Sequence, residues 1–183
     1  LPIKLSVPAE GFSSRRDLDD WKFGLIDMAE RSIGKRPVPP KSETMNVCLV
    51  GCGKSKLGRK ASARELYTGA LFQKSMAYAE KFCDTWAILS AKHGLVLPDE
   101  EISPYDMTVC GLRKEDRLKW CRKVQKQILK RWGPETRYTV LAGEPYACAT
   151  EGLNATYPLE GLGIGERLRW LNEALLHETA VSQ

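Results

Sequence analysis

Three short apolar runs, each cut off by glycine or by polar residues, limit what this chain can fold into. They are Asn46-Val-Cys-Leu-Val50, Trp86-Ala-Ile-Leu-Ser-Ala91 and Tyr138-Thr-Val-Leu-Ala142. Each is rich in strand-forming residues and too short for a core helix, so each reads as a buried strand. Helical spacing fills the intervals, over 61–82 and 113–132, and returns over 166–177 after the third run. Strand, helix, strand, helix, strand predicts an α/β fold: a three-layer sandwich with a mainly parallel central sheet flanked by helices. A chain of 183 residues has room for one such core.

The segment before the first run has a different character. Ser13 or Ser14 is placed to cap a helix over 16–32, with Leu18, Trp21 and Leu25 on one face. A proline-rich stretch, Gly34 to Thr44, then reads as a stiff linker. The expected division is an N-terminal helical arm and linker over 1–44 and an α/β catalytic domain over 45–183. No apolar run approaches the roughly 20 residues of a membrane span, and no signal-peptide pattern opens the chain. Several of the six cysteines lie in apolar runs, as reduced, buried cysteines do. There is no Cys-x-x-Cys pair, and neither His93 nor His177 has metal-ligand spacing to a cysteine. The expectation is a cytoplasmic protein with no metal, no cofactor and no evident protein partner.

The net charge of +5 is modest, but it is segregated. Lys54, Lys56, Arg59, Lys60, Arg64, Lys74 and Lys81 face only Glu65 and Glu80 between 53 and 81. The helix over 113–132 carries Lys119, Lys123, Lys126 and Lys130 at helical spacing, beside an apolar stripe of Leu118, Cys121, Val124 or Gln125, Ile128 and Trp132. Such segregation suits a polyanion; a solvated lysine-rich face is the plainer reading.

In parallel sheets, ligands bind beyond the carboxyl ends of the strands. Each strand here ends in a chemically equipped loop. The first gives Gly51, Cys52, Gly53, Lys54, Ser55 and Lys56. This is not an NTPase phosphate loop, which would need glycine at Cys48 and a helix starting at the lysine. Glycine amides, lysines and a hydroxyl still suit a phosphate of some other origin. The second loop gives Ser90, Lys92, His93, Tyr105 and Asp106, and the third gives Glu144 and Tyr146. Lysines hold phosphate, tyrosines stack on bases, a carboxylate activates water or steadies a cationic sugar, and a histidine assists a leaving group. Singly, each has a plainer role: His93 as a hydrogen-bonded structural residue, Asp106 as a turn cap, Glu144 as a lysine partner, Tyr67 as core. Their convergence on one sheet edge makes the functional case.

Val50-Gly-Cys-Gly-Lys-Ser-Lys56, Glu65-Leu-Tyr-Thr-Gly-Ala-Leu-Phe72, Ile88-Leu-Ser-Ala-Lys-His-Gly-Leu95 and Pro104-Tyr-Asp106 resemble a bacterial and phage family that carries domain of unknown function 6884. More distantly, the segment Gly94 to Asp106 and Leu141-Ala-Gly-Glu-Pro-Tyr146 resemble the paired motifs of the YaaA peroxide-stress proteins and the core of archaeosine synthase. Those resemblances imply a uracil-DNA-glycosylase-like fold, a basic cleft, and work on DNA or modified bases. Where YaaA proteins have arginine after Pro-Tyr, this chain has Asp106, a carboxylate where a glycosylase would use one.

The resulting expectation is a DNA glycosylase that flips out a modified base, in defence or repair. Asp106, His93 and Glu144 form its catalytic set. Gly51, Cys52, Gly53, Lys54, Ser55, Ser90, Lys92, Tyr105 and Tyr146 bind substrate, and Lys56, Lys119, Lys123 and Lys126 hold the DNA backbone. The alternatives are a DNA-binding protein without chemistry, and a hydrolase or base transferase acting on free nucleotides.

Overall fold

The structure is a computed structural model that describes residues 44–177. The helix expected over 16–32 and its linker lie outside the described residues, as do the last six. The three apolar runs form strands β1 (Asn46–Gly51), β3 (Thr85–Ser90) and β6 (Arg137–Leu141). β1 is central and pairs in parallel with β3 on one side and β6 on the other, with Val50 opposite Ile88 and Leu141. Two short strands complete the five-stranded sheet. β4 (Gly94–Val96) is antiparallel at the β3 edge, and β7 (Ala155–Thr156) is parallel at the β6 edge. The architecture is therefore α/β with a mainly parallel central sheet.

The pleat distributes β1 between two cores. Cys48 and Val50 face α2 (Ala70–Phe82) and α4 (Ile164–His177) through Phe72, Ala79 and Leu171. Val47 and Leu49 face α3 (Lys114–Trp132) through Trp120, Val124 and Ile128. Val47 to Val50 are wholly buried, which explains a run without polar alternation. Each large apolar side chain so buried contributes about 1.5–3 kcal/mol.

Two local expectations are refined. The segment 61–82 is mostly helical, but it opens as a strand. Ala61–Ser62 forms strand β2, paired with β5 (Glu101–Ile102), and α1 spans only Ala63–Leu66 before the chain breaks to start α2. At the break the backbone bonds outside the helix: the Leu66 carbonyl accepts the Leu57 amide at 2.8 Å, and the Thr68 amide donates to the Ser55 carbonyl at 3.1 Å. Gly69 precedes α2 at its cap. In α3 the buried stripe contains Trp120, while Leu118 is 45% exposed. Leu118 sits about 100° round the helix from the centre of the face made by 120, 121, 124 and 128.

The end of α3 is as the sequence implies. Gly133 takes φ of 82°, and its amide donates to Leu129. Thr136 Oγ1 donates to the Trp132 carbonyl at 2.6 Å and Tyr138 OH to the Gly133 carbonyl at 2.6 Å, so side chains satisfy carbonyls the helix leaves open.

The cysteine expectation also needs correction. Cys121 of α3 and Cys148 of the turn Glu144–Ala149 are joined as a disulfide, while Cys48, Cys52, Cys83 and Cys110 are free thiols. The fold brings the two Cα atoms to 5.5 Å, within the span a disulfide bridges. No helix of the described residues is long and apolar enough to cross a membrane.

Candidate active site at the carboxyl edge of the sheet

The site starts where β3 stops. After Ser90 the chain turns through 91–93 and returns at once as β4, with Ser90 opposite Gly94. Gly94 has φ of 86°, and a Cβ there would lie 2.5 Å from Gln127 Oε1. Gln127 uses that oxygen to accept the Leu95 amide at 3.0 Å. Lys123, one turn earlier on α3, donates to the His93 carbonyl at 3.4 Å. Trp120 donates its indole N–H to the Ser90 carbonyl at 2.9 Å. Three side chains on one face of α3 therefore grip the turn that carries Lys92 and His93.

Tyr105 lies across this turn. Its hydroxyl is 2.7 Å from Ser90 Oγ and 2.8 Å from the Tyr67 hydroxyl. Ser90 Oγ also accepts the His93 amide at 3.2 Å. The result is one chain of hydroxyls, anchored on wholly buried Ser90 and Tyr67. Burial pushes the Tyr105 and Tyr67 phenols well up, so both stay protonated and available as donors. Two ammonium groups flank the Tyr105 ring, Lys56 at 4.4 Å and Lys92 at 5.9 Å from its centroid. The His93 imidazole meets the same ring edge-on at 5.4 Å. Its Nε2 is buried with no hydrogen-bond partner among the described residues. Desolvation first, then the cations of Lys92 and Lys123, hold the His93 pKa below its usual value. The imidazole is therefore neutral at pH 7.

The first loop supplies the opposite wall. Cys52 donates its amide to the Leu89 carbonyl at 3.1 Å, and its Sγ lies 3.3 Å from the Tyr146 hydroxyl. Lys54 and Ser55 are exposed. No helix begins there, and Lys56 instead bridges to Tyr67. That bridge sets Lys56 beside the Tyr67 and Tyr105 rings. Tyr146 differs from expectation too. It is 8% exposed, with its ring edge-on to Trp120 at 5.7 Å, so it is a wall of the site and not an open stacking surface.

Neither expected carboxylate is hydrogen-bonded to the hydroxyl chain. Asp106 follows Tyr105 and is exposed. Glu144 is exposed on a recess of about 430 Å³ that Arg167 and Tyr157 also line. Exposed Lys119, Arg122, Lys123 and Lys126 line a shallow basic hollow on α3. Among the described residues no group of three His, Cys, Asp or Glu is placed to hold a metal.

Sequence reasoning missed Trp120, Gln127, Arg167 and Ser75. Trp120 carried a signal, since it precedes Val124 and Ile128 at four-residue spacing. Arg167 and Ser75 carried none; they reach the sheet edge only because α2 and α4 pack there.

Residues 47–173 match a family of unknown function, DUF6884. The chain belongs to that family. It is also 28% identical over 152 residues to the uncharacterized protein YfjM of Bacillus subtilis strain 168, an alignment that covers 70% of this chain and 94% of the relative. No solved structure matches. The matched region takes in every site element described above.

Proposed function

We propose that this member of the DUF6884 family is a DNA glycosylase. It would hydrolyse the N-glycosidic bond of a modified base, in defence or repair. The observation that carries the proposal is the single cluster of Ser90, Tyr105, Lys56, Lys92 and His93, with Lys123 joining its turn to a basic helix face. The resemblance to YaaA proteins, which implies a uracil-DNA-glycosylase-like fold, points the same way.

In this reading the basic face of α3 binds phosphates, and the target nucleotide leaves the duplex to enter the cleft. Cleavage of the bond from C1′ to the base leaves the electron pair on the base and positive charge on the sugar. Asp106 steadies that charge and takes a proton from the attacking water. His93 is neutral, so it donates a hydrogen bond to the base as negative charge develops there; it does not deliver a proton as imidazolium. Lys56 and Lys92 add positive potential on the same side. Glu144, on the neighbouring recess, reads the base or shares the acid work.

The test is a panel of duplexes carrying modified bases, with abasic sites as the readout. Wild type should release at least one base, Asp106→Asn should release far less, and Lys123→Glu with Lys126→Glu should weaken binding and flatten its salt dependence. Salt-sensitive binding with no release from any duplex would favour a DNA-holding protein without chemistry. Release from mononucleotides that survives both charge reversals would favour an enzyme of free nucleotides.

A further inference from the structure

A second recess lies beside the candidate active site, between the ends of β1 and β6 and the helices α2 and α4. Cys52 and Tyr146 line it and connect it to the first loop of the site. Its place is where open α/β sheets hold ligands, beyond the carboxyl ends of parallel strands. Its volume is about 90 Å³. That is less than the roughly 150 Å³ of a cavity that encloses benzene. The recess therefore admits a head group of a few atoms and no ring.

Two side chains in its lining keep hydrogen-bonding capacity that the fold does not use. Ser75 of α2 is 1% exposed, and its hydroxyl has no hydrogen-bond partner among the described residues. A buried hydroxyl without a partner costs stability, and alanine would fill the same helix position without that cost. Arg167 of α4 is half-buried, and its Nε donates to the Leu162 carbonyl at 2.7 Å. Its Nη1 lies against Gly143, 3.6 Å from where a Cβ would stand. Among the described residues no carboxylate forms an ion pair with it. Glu144 and Glu160 line the neighbouring recess and not this one. A half-buried guanidinium without a counter-ion, with its terminal nitrogens still open, suits an oxyanion. The donors stand on different sides: the hydroxyl on α2, the guanidinium on α4, and glycine backbone at Gly51, Gly53 and Gly143 on the strand ends. A tetrahedral phosphate can meet donors so spread, whereas a flat carboxylate meets fewer of them. Leu71, Phe72 and Leu159 wall the recess with apolar surface, which lowers the local dielectric and strengthens a charge pair inside it.

We infer that this recess is a phosphate subsite, in which Arg167 pairs with the phosphoryl oxygens and Ser75 donates a hydrogen bond to one of them. The inference does not rest on the glycosylase reading. The phosphate belongs either to a nucleic-acid strand or to a free phosphomonoester, and the test separates the two. The full chain is titrated with inorganic phosphate at constant ionic strength, and binding is followed by phosphorus NMR, for wild type, Ser75→Ala, Arg167→Gln and Arg167→Lys. Wild type should bind phosphate saturably. Ser75→Ala should bind it about tenfold more weakly, while its melting temperature without phosphate stays level or rises. Arg167→Gln should bind at least about tenfold more weakly, and Arg167→Lys should recover part of the loss. Should Arg167→Gln melt too low to titrate, Ser75→Ala decides alone.

No saturable binding, or an affinity unchanged by Ser75→Ala or by Arg167→Gln, would overturn the inference, since the phosphate would then sit elsewhere, on surface lysines. A lowered melting temperature in Ser75→Ala would overturn it too, because the hydroxyl would then serve the fold. Thymidine 5′-monophosphate and a thymidine oligomer without terminal phosphates then compete against bound phosphate. Displacement by the oligomer assigns the subsite to a nucleic-acid strand. Displacement by the monophosphate alone assigns it to a free phosphomonoester, which retains the subsite and counts against the glycosylase. Displacement by neither would overturn the inference.

Discussion

Replacing Tyr105 by phenylalanine deletes one oxygen and breaks a chain of three. Two hydrogen bonds go, at 2.7 Å to Ser90 Oγ and 2.8 Å to Tyr67 OH. A net hydrogen bond is worth about 1 kcal/mol, so direct loss comes to about 2 kcal/mol. The two partners then fare differently. Ser90 Oγ keeps the His93 amide, but the wholly buried Tyr67 loses its hydroxyl's partner. An orphaned hydroxyl adds about 1–3 kcal/mol, part of which the direct loss already includes, so Tyr105→Phe should cost about 2–4 kcal/mol. Tyr67→Phe leaves Tyr105 bonded to Ser90 and should cost about 1 kcal/mol. The double variant loses the same two bonds but has no orphan at 67, so it should cost no more than Tyr105→Phe alone. Urea unfolding followed by tryptophan fluorescence measures all three, with buried Trp86 and Trp120 as reporters. Strict additivity, or a Tyr105→Phe cost below about 0.5 kcal/mol, would refute the shared chain.

Other expectations follow from neighbouring features. Gly94→Ala should destabilise by about 1–3 kcal/mol, because φ is 86° and the new methyl would press on Gln127 Oε1; adding Gln127→Ala should recover only the steric share, measured by the same unfolding curves. Reducing the Cys121–Cys148 bond, which closes a separation of 27 residues, should lower stability by about 3.5 kcal/mol on the chain-entropy account, read as a melting shift with and without reductant. The His93 pKa is lower in the fold than in the unfolded chain, so between the two values the unfolded chain binds more protons. The His93 contribution to stability is therefore complete above about pH 6.5 and is lost as pH falls through the lowered folded value. His93→Gln should remove that part of the acid-side slope, and NMR titration of the imidazole should show the depressed midpoint.

The sheet was legible because its three long strands are covered on both faces and so lack polar alternation. Their order was not encoded locally: the return of the chain as β4 rests on three residues and one glycine. The loop contents were equally plain, since Ser90, Lys92, His93 and Tyr105 stand out against the apolar runs. What the loops do with one another was not. Tyr146 reads the same in sequence whether it stacks on a ligand or lies against Trp120, and only packing decides. The same holds for Cys121 and Cys148, which meet because a helix face turns toward a short turn. Ser75 is an ordinary serine in an amphipathic helix, and its significance appears only when the surrounding space is known.

The immediate reversal after β3 has a kinetic corollary. The turn bearing Lys92 and His93 is hydrogen-bonded into the sheet through β4 and held from behind by Trp120, Lys123 and Gln127. Freeing it would mean unzipping a sheet edge and detaching a helix at the same time, an opening far costlier than the motion of an ordinary surface loop. That turn therefore does not act as a flap, and the Leu95 amide should exchange with solvent about as slowly as the interior of the sheet.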